Sequence, residues 1–169
     1  PRNTHKGIYG DAGILGGNAG MVGAALLAGR AALWLGTGRV YVGLLDDKGP
    51  AVDFAHPELM LRRAHALPER LSALAVGPGL GTESTSASLL AAALERNVPL
   101  LLDADALNLS GADPTLKHAL AARTAPTVLT PHPAEAARML GTDTASVQAD
   151  RLHAALEIAA QYKALVVLK

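Results

Sequence analysis

The sequence contains no cysteine, which removes disulfides, thiolate nucleophiles and zinc-thiolate sites in one step. Aromatic residues are nearly as scarce, at 3% of a chain that is 50% hydrophobic, so the core must be built mainly from Ala, Leu and Val. Neither sign of charge prevails: fifteen basic residues face fifteen acidic ones, and the electrostatic footprint of a nucleic-acid or anionic-membrane binder is missing. A phosphate-bearing ligand stays open, because helix amino termini hold anions without net positive charge. No apolar run approaches the roughly 18 residues of a membrane span. The Gly- and Ala-rich stretch 20–29 follows Asn18 and lacks the basic region and cleavage context of a signal peptide. The six histidines show no metal-ligand spacing. These absences predict a soluble protein, with the cytosol as its default compartment.

At 169 residues the chain is long enough for one domain with a real core. Short apolar runs alternate with helical patterns, which predicts an α/β fold: a mostly parallel sheet with helices on both faces. Strands are expected near 12–16, 39–45, 71–76, 98–103, 126–130 and 164–169, the last as a buried strand. Residues 20–35 read as a helix whose glycines imply close packing on the sheet or access for a ligand. Asp46-Asp47-Lys48-Gly49-Pro50 is a turn, after which 51–54 is expected to return antiparallel to 39–45. A helix over 84–95 has Leu89, Leu90, Ala93 and Leu94 on one face and Thr82 or Ser84 as its cap. Asp113-Pro114 reads as a cap followed by a first-turn proline. A helix from Pro133 ends before Gly141, and another, over 145–162, has an expected apolar stripe of Leu152, Ala155, Leu156 and Ala159.

The expected strands end in residues suited to holding ligands. In open parallel sheets ligands bind outside the carboxyl ends of the strands. Gly16-Gly17-Asn18-Ala19-Gly20 lets backbone approach a ligand, and serves equally as a tight strand-to-helix turn; it is neither a Walker loop nor a full dinucleotide fingerprint. Gly77-Pro78-Gly79-Leu80-Gly81 makes a rigid rim free of side chains, against which a flat or phosphorylated ligand can lie. Asp103-Ala104-Asp105-Ala106-Leu107-Asn108 sets two carboxylates and an amide within about a turn. Asp103, at the strand end, suits hydroxyls or a cation, whereas Asp105 suits a helix cap as well as a ligand. In Thr130-Pro131-His132-Pro133-Ala134-Glu135 the flanking prolines fix the direction of His132, and an exposed strand end is an unpromising place for a merely structural imidazole. Glu135 falls in the first helical turn, where it stabilises the dipole or binds a water-coated Mg²⁺ beside a nucleotide phosphate. His5, His56, His65, His118 and His153 read as tail, loop or helix-surface residues.

With these segments in order, and with His5-Lys6-Gly7-Ile8-Tyr9-Gly10, Gly20-Met21-Val22-Gly23-Ala24, Asp150-Arg151-Leu152 and Val166-Val167-Leu168-Lys169 beside them, the chain resembles the NAD(P)H-hydrate dehydratase family. The resemblance implies a ribokinase-like fold and the ADP-dependent return of hydrated NADH or NADPH, in the S form, to the working cofactor. It implies that ADP, or ATP, with Mg²⁺ serves as co-substrate, that phosphate is placed on the added hydroxyl and leaves as the ring double bond is restored, and that the protein is a homo-oligomer, a tetramer in relatives. It also implies fusion to, or cooperation with, an NAD(P)H-hydrate epimerase. Ala24, Gly79, Gly81 and His132 resemble hydrate-binding positions, and Asp103, Asp105 and Asn108 fall in the same motifs. Lys169 resembles the first residue of a Lys-Gly-x-x-Thr segment that contacts the adenine nucleotide, with Glu135 on the nucleotide side.

Ala134 and Thr37 stand where the family usually has Gly and Ala. The family's Gly-x-Gly-Asp segment, with its anion-holding helix start and expected catalytic aspartate, is not in the sequence, so a single domain incomplete beyond residue 169 is expected, with no catalytic residue assigned within it. The competing readings are a small-molecule kinase of the same fold, of the vitamin-precursor type, and a non-catalytic nucleotide-binding module.

Overall fold

The computed structural model describes residues 6–169; His5 lies outside the described residues. The chain forms two compact units, one running to Gly81 and the other from Thr82 to Lys169. Both are α/β, and every recorded strand pairing in them is parallel.

The first unit contains β1 (Asp11–Gly16), α1 (Val22–Trp34), β2 (Arg39–Leu44), β3 (Met60–Arg63) and β4 (Ala73–Val76), with 3-10 turns at Lys6–Tyr9 and Ala64–Ala66. Its strand order is β3-β2-β1-β4. Ile14, Val40, Val42, Leu44, Leu59 and Leu61 form its core with Ala25 of α1. Small residues let α1 lie close to the sheet: a Cβ at Gly29 would come within 2.8 Å of Val42 Cγ2 and 3.2 Å of Leu59 Cδ2. The packing explanation holds there but not at Gly23, where a Cβ would meet nothing within 4 Å.

The expected antiparallel return of 51–54 does not form; the neighbour of β2 is β3, in parallel register from Tyr41 opposite Met60. Asp53 explains the difference. Its carboxylate receives both Arg30 Nε and Arg30 Nη2 from α1, at 2.7 and 2.8 Å, and the Ala55 amide at 3.0 Å. The segment is thus tied down onto α1 as a turn. Asp53 is 5% exposed, and its carboxyl is held below the ordinary range chiefly by the Arg30 hydrogen bonds.

The second unit contains α2 (Ser84–Glu95), β5 (Leu100–Leu102), α3 (Asp105–Ala112), α4 (Pro114–Ala121), β6 (Thr127–Leu129), α5 (Pro133–Leu140), α6 (Thr144–Ala149), α7 (Arg151–Tyr162) and β7 (Leu165–Val166), with strand order β5-β6-β7. Helix α2 has the expected bounds, but Glu83 is its N-cap and neither Thr82 nor Ser84 fills that place. Asp113 caps α4 through the amides of Thr115 and Leu116. The single helix expected over 145–162 is two, broken at Asp150, whose side chain accepts from the His153 amide at 2.9 Å and starts α7 afresh. The restart moves the buried stripe to Ala154, Ile158 and Tyr162, leaving Leu152 and Leu156 exposed. The run expected as a buried strand is also short and open: β7 is the edge of its unit's order, and Leu165 and Val167 are exposed. Among the described residues no helix is long and apolar enough to cross a membrane.

Candidate functional site

The first unit reverses direction between β1 and β4, since β2 and β3 lie on one side of β1 and β4 on the other. Such a switch point opens a crevice at the strand ends, and the two Gly-rich segments are the loops that leave these two strands. They are laced together: the Gly17 amide donates to Pro78 O at 2.9 Å and the Asn18 amide to Gly79 O at 2.6 Å. Gly77, Gly79 and Gly81 all have positive φ, so the rim needs glycine for its path as well as for its openness. At Gly79 a Cβ would fall 2.6 Å from Met21 Cβ, 2.7 Å from Met21 O and 3.4 Å from Ala24 Cβ. The start of α1 therefore packs directly on the rim, and Ala24 and Gly79 are neighbours.

The second unit gathers its own strand ends. Thr130 follows β6 and donates through its amide to Leu102 O of β5 at 3.1 Å, while beyond β7 the amides of Val167 and Lys169 donate to Leu129 O and Pro131 O at 2.8 and 2.9 Å. Arg151 secures this last segment, donating to the carbonyls of Leu168 and Lys169 at 3.1 and 2.8 Å. The Lys169 ammonium thereby reaches Asp103 Oδ1 at 2.6 Å. Between the two aspartates Ala104 adopts φ 49 and ψ −119, a strained conformation for a residue with a Cβ. Ala104 is the N-cap of α3 and makes no side-chain cap bond, so Asp105 is the first residue inside the helix, where it favours the dipole, and is not the cap.

His132 has a more definite structural job than its setting predicts. It is the N-cap of α5: Nδ1 accepts from the Ala134 amide at 3.1 Å, and its own amide donates to Glu135 Oε2 at 2.9 Å, which completes a capping box. Accepting at Nδ1 places the proton of the neutral ring on Nε2, which lies 3.2 Å from Glu135 Oε1. Both ring nitrogens are thus engaged within the first turn of α5. The side chain nevertheless stays 47% exposed, while that of Glu135 is 6% exposed. The imidazole can offer a ligand a fixed ring face, and Glu135 acts on it from below. The sequence signal for this was the spacing of His132 to Glu135, which matches a capping box with His in place of Ser or Thr.

Arg138 and Arg151 are the residues that sequence reading did not single out individually. Arg138 Nη1 donates to Asn108 Oδ1 at 2.8 Å, joining the last turn of α5 to α3. Among the described residues no group of three or more His, Asp or Glu side chains is placed to hold a metal ion.

A profile of the NAD(P)H-hydrate dehydratase family matches residues 12–169. The chain belongs to the NAD(P)H-hydrate dehydratase family. Among curated members it is 46% identical to the ADP-dependent (S)-NAD(P)H-hydrate dehydratase of Neisseria meningitidis, over 99% of this chain and 58% of that protein. It therefore spans little more than half the length of that relative. Among solved structures it is similar to the ADP/ATP-dependent NAD(P)H-hydrate dehydratase of Bacillus subtilis co-crystallised with ATP and Mg²⁺, with a TM-score of 0.78 and 32% identity over 100% of this chain and 61% of that one. A ribokinase-like superfamily protein from Enterococcus faecalis matches with a TM-score of 0.81 at 24% identity, covering 100% of this chain and 60% of its own, and supports the fold alone. The dehydratase family is thus assigned on almost the whole of this chain, on a ribokinase-like α/β fold.

Proposed function

We propose that the chain is part of a cytoplasmic enzyme that uses ADP to dehydrate the S form of NAD(P)H hydrate and so regenerates NADH or NADPH. The observation that carries this reading is the 2.6 Å contact between Lys169 and Asp103. The residue placed on the nucleotide side touches one placed on the hydrate side, so a phosphoryl donor and the added hydroxyl would meet at the ends of β5 and β7. In this reading Asp103, Asp105, Asn108 and His132 of the second unit serve the hydrate, Asp103 by accepting from a hydroxyl. For the first unit the family resemblance names Ala24, Gly79 and Gly81 as ligand-facing positions.

The chemistry then balances in two steps. The hydroxyl oxygen takes the β-phosphoryl group of ADP, leaving AMP, and its proton passes to a base. Inorganic phosphate then leaves with the C–O bonding electrons as a proton is lost from the neighbouring ring carbon, which restores the double bond. Lys169 would offset the charge on the transferring phosphoryl group. Mg²⁺, when bound, would neutralise phosphate charge. Glu135 would reach such an ion only through water, because both its oxygens serve His132.

A dehydratase selective for one epimer leaves the other untouched, which is the chemical reason for fusion to, or cooperation with, an epimerase. Assembly as a homo-oligomer, a tetramer in this reading, is supported by exposed Leu27, Trp34 and Leu35 on and beside α1. Incubating S-hydrated NADPH with ADP and Mg²⁺ tests the activity: NADPH absorbance returns. A kinase whose product keeps the phosphate leaves the absorbance flat, and that result would remove the reading.

A further inference from the structure

Helices α3 and α5 pack on each other, and their exposed sides are joined by the hydrogen bond from Arg138 Nη1 to Asn108 Oδ1 at 2.8 Å. A guanidinium carries donors and no acceptor. The Asn108 amide can therefore meet it only through its oxygen, and chemistry alone fixes which way the amide is turned. Its NH₂ group faces away from Arg138. On α5, Arg138 follows Glu135 by three residues, a spacing that makes the two neighbours on the helix, and Glu135 in turn contacts the His132 ring at 3.2 Å. On α3, Asn108 follows Asp105 at the same spacing.

The geometry points to Arg138 as a positioning residue of the hydrate site, an inference that rests on the functional reading above. It holds Asn108 as a donor, so this position reads an acceptor oxygen of the hydrated dinucleotide, whether carboxamide, ribose or phosphate. An unheld asparagine would divide its time between two orientations, one of which presents an oxygen to the ligand's oxygen. Fixing it in advance removes that cost from binding. Lysine at 138, also a donor without an acceptor, preserves the sense of the selection.

Steady-state kinetics of the intact protein test this. Arg138→Met is expected to raise the KM for S-hydrated NADPH about tenfold, the scale of one hydrogen bond, while kcat and the KM for ADP stay within about twofold. Arg138→Lys regains most of the loss. Asn108→Ala raises the same KM, and adding Arg138→Met to it changes nothing further, because the arginine acts only through the amide. Additive effects, or a lowered melting temperature with the hydrate KM unmoved, overturn the inference. A wild-type protein that neither binds nor converts the hydrate removes the functional reading and this inference with it. An active wild type indifferent to Arg138→Met removes this inference alone.

Discussion

His132 and Glu135 hold each other through two contacts, at 2.9 and 3.2 Å, and the carboxylate is almost entirely buried. Removing it leaves the His132 amide without its acceptor at a helix start. Glu135→Ala should therefore cost about 1–2 kcal/mol of stability, the range of a lost cap plus an unsatisfied donor. Glu135→Gln, which keeps an acceptor, should cost less than half as much. Urea denaturation of the two variants compares them directly; equal losses would mean that the capping box does not form. Asp53 gives a pH test. Its folded pKa is depressed, first by Arg30, so the pair stabilises fully above the unfolded aspartate value of about 3.9 and loses that contribution as pH falls through the lower folded value. Urea midpoints across this acid range should fall less steeply for Asp53→Asn than for the wild type. Parallel profiles would mean that the pair adds nothing.

Elements with strong periodicity and clean ends were legible: 84–95 was read with its observed bounds, and Asp113-Pro114 and Gly141 punctuate helices as their chemistry requires. Two of the misses, the 51–54 return and the single helix over 145–162, share a physical cause, an aspartate whose partner is set by tertiary structure or by a cap. Asp53 bonds an arginine 23 residues away, which no local pattern reveals. Asp150 interrupts an apolar period that otherwise runs on, and the stripe shifts with it. The flanking prolines mark His132, but its capping role lies in the spacing to Glu135. The glycines of α1 separate packing from openness. Gly29→Ala should destabilise by about 1–3 kcal/mol, because Val42 and Leu59 must give way to the new Cβ. Gly23→Ala should instead stabilise by about 0.5–1 kcal/mol, through helix propensity alone. Thermal melts of the two variants check this; a matching loss at Gly23 would show that its open surroundings are filled in solution.

At the scale of the whole molecule, the β3-β2-β1-β4 order puts the two Gly-rich loops of the first unit at one switch point, while the β5-β6-β7 ends bring Asp103 beside Lys169. The sequence marked these segments by their residue types, but a strand order cannot be read from strands alone. The chemistry proposed for them has a fixed stoichiometry. The most direct test supplies S-hydrated NADPH, ADP and Mg²⁺ to the intact protein and follows NADPH, AMP and inorganic phosphate together. The account predicts that all three appear at equal rates and that none appears when ADP is withheld. AMP formed without NADPH, or NADPH regained without loss of ADP, would contradict it.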